Sequence, residues 1–214
     1  MRNLSRRSVL MAGGAAWALA ACQPLQVARG PAPVFEPLSY ATRADHGHQM
    51  PAVPIDQVPA WLHRQVVPYA TDEPPGTIII ESRHGLLHLI LPDGYALRYG
   101  LAVGREGLGW TGTAEIYNKA RWPSWTPTPA MIQRDPSLER WAEGRAGGPG
   151  NPLGARALYL RTIPGGRDEG IRIHGTPEWR SIGHHASSGC FRMINHDVAD
   201  LFDRVGRGTR VVVS

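Results

Sequence analysis

Short apolar runs punctuated by glycine and proline predict a mainly β fold, a curved sheet, sandwich or barrel with few short helices. Three observations carry this. The 214-residue chain holds 25 Gly and 19 Pro, a bias toward turns and short strands. From Gly76 onward its apolar segments are short, β-rich and separated by turn signals. A single segment, near the C-terminus, has clear helical spacing.

In order along the chain, Thr77-Ile78-Ile79-Ile80 and Leu86-Leu87-His88-Leu89-Ile90-Leu91 read as two strands around Arg83-His84-Gly85, a hairpin. Pro92-Asp93-Gly94 marks a turn before a run from Tyr95 to Val103. Thr113–Tyr117, Ala157–Arg161, Ile171–His174 and Val211–Val213 are further strand candidates. Asn195 stands where a helix cap is expected, and Val198, Leu201, Phe202 and Val205 follow at i, i+3, i+4, i+7 before Gly206. Residues 118–153 carry Trp122, Trp125 and Trp141 among prolines and glycines and read as an irregular, structured insert.

The N-terminal part reads differently. Residues 1–22 join a charged start to a short apolar stretch ending in small residues, the layout of a secretory signal. Ser5-Arg6-Arg7-Ser8-Val9-Leu10 resembles a twin-arginine export signal. Leu19-Ala20-Ala21-Cys22 resembles a lipobox, in which Cys22 becomes the lipidated first residue of an exported, membrane-anchored protein; the alternative is an ordinary signal that removes Cys22. Gln23, in place of an inner-membrane retention Asp, leans toward the outer membrane. Residues 23–75 hold 10 of the 19 prolines and read as a tether leading into an arm, in which Trp61-Leu62 and Val66-Val67 can pack on the domain that follows from residue 76 to 214.

Charge excludes little but points away from nucleic acid. The formal +5 falls to +2 once the acid-free first 22 residues, with Arg2, Arg6 and Arg7, are set aside. No apolar run approaches the roughly 20 residues that span a bilayer. With Cys22 lipidated or lost, Cys190 is the sole thiol of the mature chain. It is then either an inert core residue or a reactive thiol, and its neighbours decide.

Those neighbours are Ile173-His174-Gly175-Thr176 and Ser187-Ser188-Gly189-Cys190-Phe191-Arg192-Met193, with 15 residues between His174 and Cys190. A thiol is a useful nucleophile as thiolate, and an imidazole beside it produces one near neutral pH. Gly189 permits close backbone approach, and amide N–H groups around Gly189 and Cys190 can face the oxygen of a tetrahedral intermediate. A zinc reading from His174, His184, His185 and Cys190 is the weaker one, because adjacent histidines diverge.

The full string resembles the L,D-transpeptidase catalytic domain, the YkuD family: His, a gap of this size, then Ser/Thr-His-Gly-Cys and Arg or Asn. The likeness runs from about Gly76 to Ser214 and includes Asp93-Gly94, Val103-Gly104, Asn151-Pro152-Leu153-Gly154 and Gly208-Thr209-Arg210-Val211. It implies an L,D-transpeptidase-type curved β-sandwich or barrel-like sheet. It implies Cys190 as nucleophile, His174 as general base and the Gly175 carbonyl as the group orienting the imidazole. Arg192 would brace the site or meet a substrate carboxylate, and Ser187, Ser188 and Gly189 would lie near the substrate or oxyanion. Ser188 stands where the common pattern has His.

The implied reaction is attack of Cys190 on the bond between meso-diaminopimelate and D-Ala in a peptidoglycan tetrapeptide stem, then transfer to an amine, giving a 3–3 cross-link. Water as acceptor would make an L,D-carboxypeptidase, and a protein amine would attach that protein to the wall. A non-catalytic wall-binding module is the reading from another class; retention of both His174 and Cys190 disfavours it. The family chemistry uses no cofactor and no metal, its partners are peptidoglycan stem peptides rather than nucleic acid, and carbapenems would be covalent inhibitors. The three tryptophans are then packing or a platform for glycan and stem peptide. The implied location is the periplasm.

Overall fold

The computed structural model describes residues 30–104, 109–186 and 190–214. The signal-like segment with Cys22, and Ser187, Ser188 and Gly189, lie outside the described residues. The fold is mainly β: an 11-stranded mixed sheet, a separate two-stranded hairpin, two α-helices and several 3-10 turns among the described residues.

The strands are β1 (Arg43–Asp45) and β2 (His48–Met50), which form the hairpin, then β3 (Gln65–Pro68), β4 (Ile78–Glu81), β5 (Leu86–Leu91), β6 (Tyr95–Gly100), β7 (Ala102–Gly104), β8 (Gly112–Arg121), β9 (Arg156–Thr162), β10 (Arg172–Thr176), β11 (His185–Ala186), β12 (Phe191–Ile194) and β13 (Arg210–Val213). The large sheet runs β11-β7-β12-β10-β9-β8-β13-β4-β5-β6-β3 and does not close into a barrel. Helix α1 is Pro129–Arg134 and helix α2 is Asn195–Arg204.

Alternation explains which face is buried. Ile78 and Ile80, Leu87 and Leu89, Leu97 and Tyr99, Leu158 and Leu160, Phe191 and Met193, and Val211 and Val213 share one core, each pair two residues apart on its strand. Val198, Leu201, Phe202 and Val205 at the C-terminal end of the chain join that core, so α2 packs its apolar stripe on the sheet. Ile79, Ile90 and Ala96 form a smaller cluster of their own.

Three elements differ from the sequence expectation. The run from Tyr95 to Val103 breaks at Leu101: β6 pairs with β5, whereas β7 pairs with β12. At Gly100 a Cβ would sit 2.6 Å from the Leu62 carbonyl oxygen, so the arm crosses where glycine permits it. The strand expected to end at Tyr117 continues to Arg121 by a register shift between Ile116 and Asn118. Asn195 is the first residue of α2 rather than its cap; Ile194 holds the cap position without a side-chain bond.

The arm folds onto the domain from residue 30. Leu62 is buried, Val66 packs on the core and Trp61 is half exposed. Strand β3 adds an edge to β6. The hairpin is fastened by Asp45, whose carboxylate takes both terminal nitrogens of Arg156 at 2.7 and 2.8 Å and the Trp122 indole N–H at 2.8 Å. Trp122 is thereby a packing residue, buried, with its ring 4.9 Å from that of His48 and tilted 45° to it. Because Arg156 is 2% exposed, Asp45→Ala strands a buried cation. We expect about 3–5 kcal/mol of lost stability, read by urea unfolding, with Asp45→Glu recovering part of it.

Candidate active site

Strands β10 and β12 lie side by side and parallel, with Ile173 opposite Phe191 and His174 opposite Arg192. Continued one residue back, that register sets Cys190 level with Arg172. Neighbouring strands lie about 4.8 Å apart and two residues advance about 6.6 Å, so the backbones of His174 and Cys190 stand about 8 Å apart. That separation lies within the combined reach of an imidazole and a thiol. The Cys190 carbonyl accepts from the Gly104 N–H of β7 at 2.9 Å, which ties the residue to that strand. Cys190 is 7% exposed and its Sγ donates to the Gly170 carbonyl at 3.2 Å.

His174 is 4% exposed, and Ala157, small, is its partner on β9. Its Nδ1 lies 2.7 Å from the Gly175 carbonyl oxygen. A carbonyl can only accept, so Nδ1 carries the proton and Nε2 keeps its lone pair. Burial, with the charges of Arg192 and Arg172, pushes the imidazole down to about 4, against the pull of the Gly175 carbonyl. The ring is neutral at pH 7 and able to accept a proton.

Gly175 is fixed from behind. The Asn195 amide oxygen accepts from the Ala155 N–H at 2.8 Å, and a Cβ on Gly175 would collide with that amide oxygen and reach 3.0 Å from Ala155 N. Gly154 sits at φ +61, where a Cβ would meet the Gly175 carbonyl carbon at 2.5 Å. Asn151 shapes the turn before it, donating to the Arg145 and Ala146 carbonyls and accepting from the Leu153 N–H. Gly175→Ala should therefore cost about 1–3 kcal/mol by overpacking and should tilt the His174 ring. A thermal melt reads the first effect; a loss of turnover in the folded fraction reads the second.

Of the residues singled out from sequence, His174, Gly175, Cys190 and Arg192 come together on two adjacent strands. His184 and His185 are exposed, the latter on β11. Sequence reasoning missed Gly170, whose carbonyl meets the thiol, and Asp168 and Arg172 beside it. It also assigned Asn195 to capping, whereas its side chain braces the 154–155 turn against β10. The run Gly165-Gly166-Arg167-Asp168-Glu169-Gly170 was the available signal for a shaped loop.

The family model for the L,D-transpeptidase catalytic domain, YkuD, matches residues 75–213. The chain is 41% identical over 102 residues to a Fuscovulum blasticum protein named "Putative L,D-transpeptidase in ATP synthase subunits region ORF 5", covering 48% of this chain and 49% of that one. It is 32% identical over 145 residues to "Probable L,D-transpeptidase ErfK/SrfK" of Escherichia coli K12, covering 64% and 43%. The chain thus spans about half the length of these curated relatives. A solved Brucella melitensis structure, described as a probable carnitine operon oxidoreductase, is 48% identical, with a TM-score of 0.51 over 75% of this chain and 99% of that one. A family match over residues 75–213, on a mainly β sheet that sets His174 beside the Cys190 strand, places the chain in the L,D-transpeptidase catalytic domain family.

Proposed function

We propose that this protein is a peptidoglycan L,D-transpeptidase with Cys190 as nucleophile and His174 as general base. The observation that carries the reading is the 2.7 Å contact from His174 Nδ1 to the Gly175 carbonyl, which leaves a neutral imidazole with a free Nε2 on the strand beside Cys190. Nε2 takes the thiol proton as sulfur attacks the carbonyl of meso-diaminopimelate in a tetrapeptide stem. The tetrahedral intermediate collapses, the bond to D-Ala breaks, and His174 returns the proton to the departing amine. A thioester remains on Cys190. The amine of a second stem attacks it, yields its proton to His174 and regenerates the thiol, leaving a 3–3 cross-link. Arg192, level with His174, supplies positive charge for a substrate carboxylate. The twin-arginine-like segment and lipobox support export and an anchor on Cys22.

Muropeptide analysis after incubation with disaccharide-tetrapeptide tests the reaction class. A cross-linked dimer with release of D-Ala is the expected product. Tripeptide alone identifies water as acceptor and replaces transfer by hydrolysis. Binding without either product would leave a wall-binding module.

A further inference from the structure

The loop between β9 and β10 carries a carboxylate whose contacts end at the thiol. Asp168 Oδ1 accepts from the Gly170 N–H at 2.9 Å and from one Arg172 terminal nitrogen at 2.6 Å. Its Oδ2 accepts from the other Arg172 nitrogen at 2.9 Å and from the Tyr117 hydroxyl at 2.6 Å. The Arg172 guanidinium also lies over the Tyr159 ring, 4.7 Å from its centroid. Gly170 takes a left-handed φ of +81, and its carbonyl receives the Cys190 S–H. One side chain thus fixes the peptide that touches Cys190 and pairs the arginine that stands level with it.

We propose that Asp168 is a positioning residue for the Cys190 thiol: it holds the Gly170 carbonyl against the S–H and keeps the Arg172 guanidinium paired away from the sulfur. This rests on reading Cys190 as the nucleophile. A carbonyl that accepts from S–H favours the neutral thiol, since a thiolate would face its lone pairs. An unpaired guanidinium beside the sulfur would favour the thiolate. Asp168 works in the same direction through both, keeping the thiol protonated and in one orientation until His174 takes the proton. The ionisable side chains on the elements flanking Cys190 are His174 and Arg172 on β10, Arg192 on β12, His185 on β11, and Arg167, Asp168 and Glu169 on the loop. Glu169 is engaged by the Trp110 indole at 2.8 Å, and Asp168 is the carboxylate that reaches both Gly170 and Arg172.

The test is the pH profile of iodoacetamide alkylation of the full chain, quantified on the peptide that holds Cys190 so that Cys22 does not contribute. Asp168→Ala should lower the midpoint by about half a unit or more and so speed alkylation on the acid side, while acyl transfer slows several-fold. Those opposite signs separate positioning from general loosening, which changes rates at every pH and leaves the midpoint in place. Should the alanine variant fail to fold, Asp168→Asn, which loses the charge facing Arg172, gives the same reading. A midpoint coinciding with that of the unsubstituted chain overturns the proposal. Alkylation requires no peptidoglycan, so a shifted midpoint in a chain that turns over no stem peptide upholds the positioning and overturns the functional reading alone.

Discussion

Cys190→Ala should abolish acyl transfer and leave the domain folded. The substitution removes one sulfur from a buried position and adds nothing that must be accommodated. The Gly170 carbonyl loses the S–H, at a stability cost of about 1 kcal/mol. The backbone of residue 190 keeps its bond from Gly104, so β7 and β12 remain paired. Chemistry suffers differently, because without sulfur there is no thioester and transfer has no route through this site. Product should fall to background while muropeptide binding, read by calorimetry, persists. Residual turnover at a tenth or more of the original rate would show that another group carries the reaction.

His174→Ala should lower kcat/KM by about 10²–10⁴, the usual contribution of a positioned base. The sign of the pH dependence follows from the same imidazole. With its affinity for protons depressed to about 4, the ring stays neutral well below the ordinary histidine range. Activity in the unsubstituted chain should therefore persist on acidification through pH 6 and fall only as pH drops through about 4. Below that the ring is protonated and cannot accept from the thiol. In His174→Ala this acid limb should disappear, and the remaining rate should rise with the thiolate fraction toward alkaline pH. An acid limb near 6.5 in the unsubstituted chain would mean that the imidazole is less buried than its 4% exposure indicates.

Most strands of the sheet's centre and the candidate pair His174 and Cys190 were legible in the sequence because each leaves a local trace. Short β-rich apolar runs marked Ile78 to Ile80 and Val211 to Val213, and His-Gly-Thr with Ser-Gly-Cys marked the candidate site. What escaped is what depends on distant partners. Strand β3 is four residues with a terminal proline, and only its pairing with β6 makes it a strand. Asn195 reads as a cap from its position before an apolar stripe; its actual partner, Ala155 N, is 40 residues away. Gly170 carries no side chain, so its contact with the thiol has no sequence signature beyond a loop rich in glycine. The arm looked like a tether because prolines hide its periodicity, yet Tyr40 bonds Asp197 and Arg64 bonds Asp200, each a contact visible only once α2 is in place.

The central claim is that Cys190 carries the acyl group. Intact-protein mass spectrometry of the folded chain with disaccharide-tetrapeptide, followed by peptide mapping, reads that directly. The account predicts an adduct of the substrate mass less D-Ala on the peptide holding Cys190, absent from Cys190→Ala and depleted when an amine acceptor is added. D-Ala release with no adduct at Cys190, or an adduct that survives in Cys190→Ala, would contradict it.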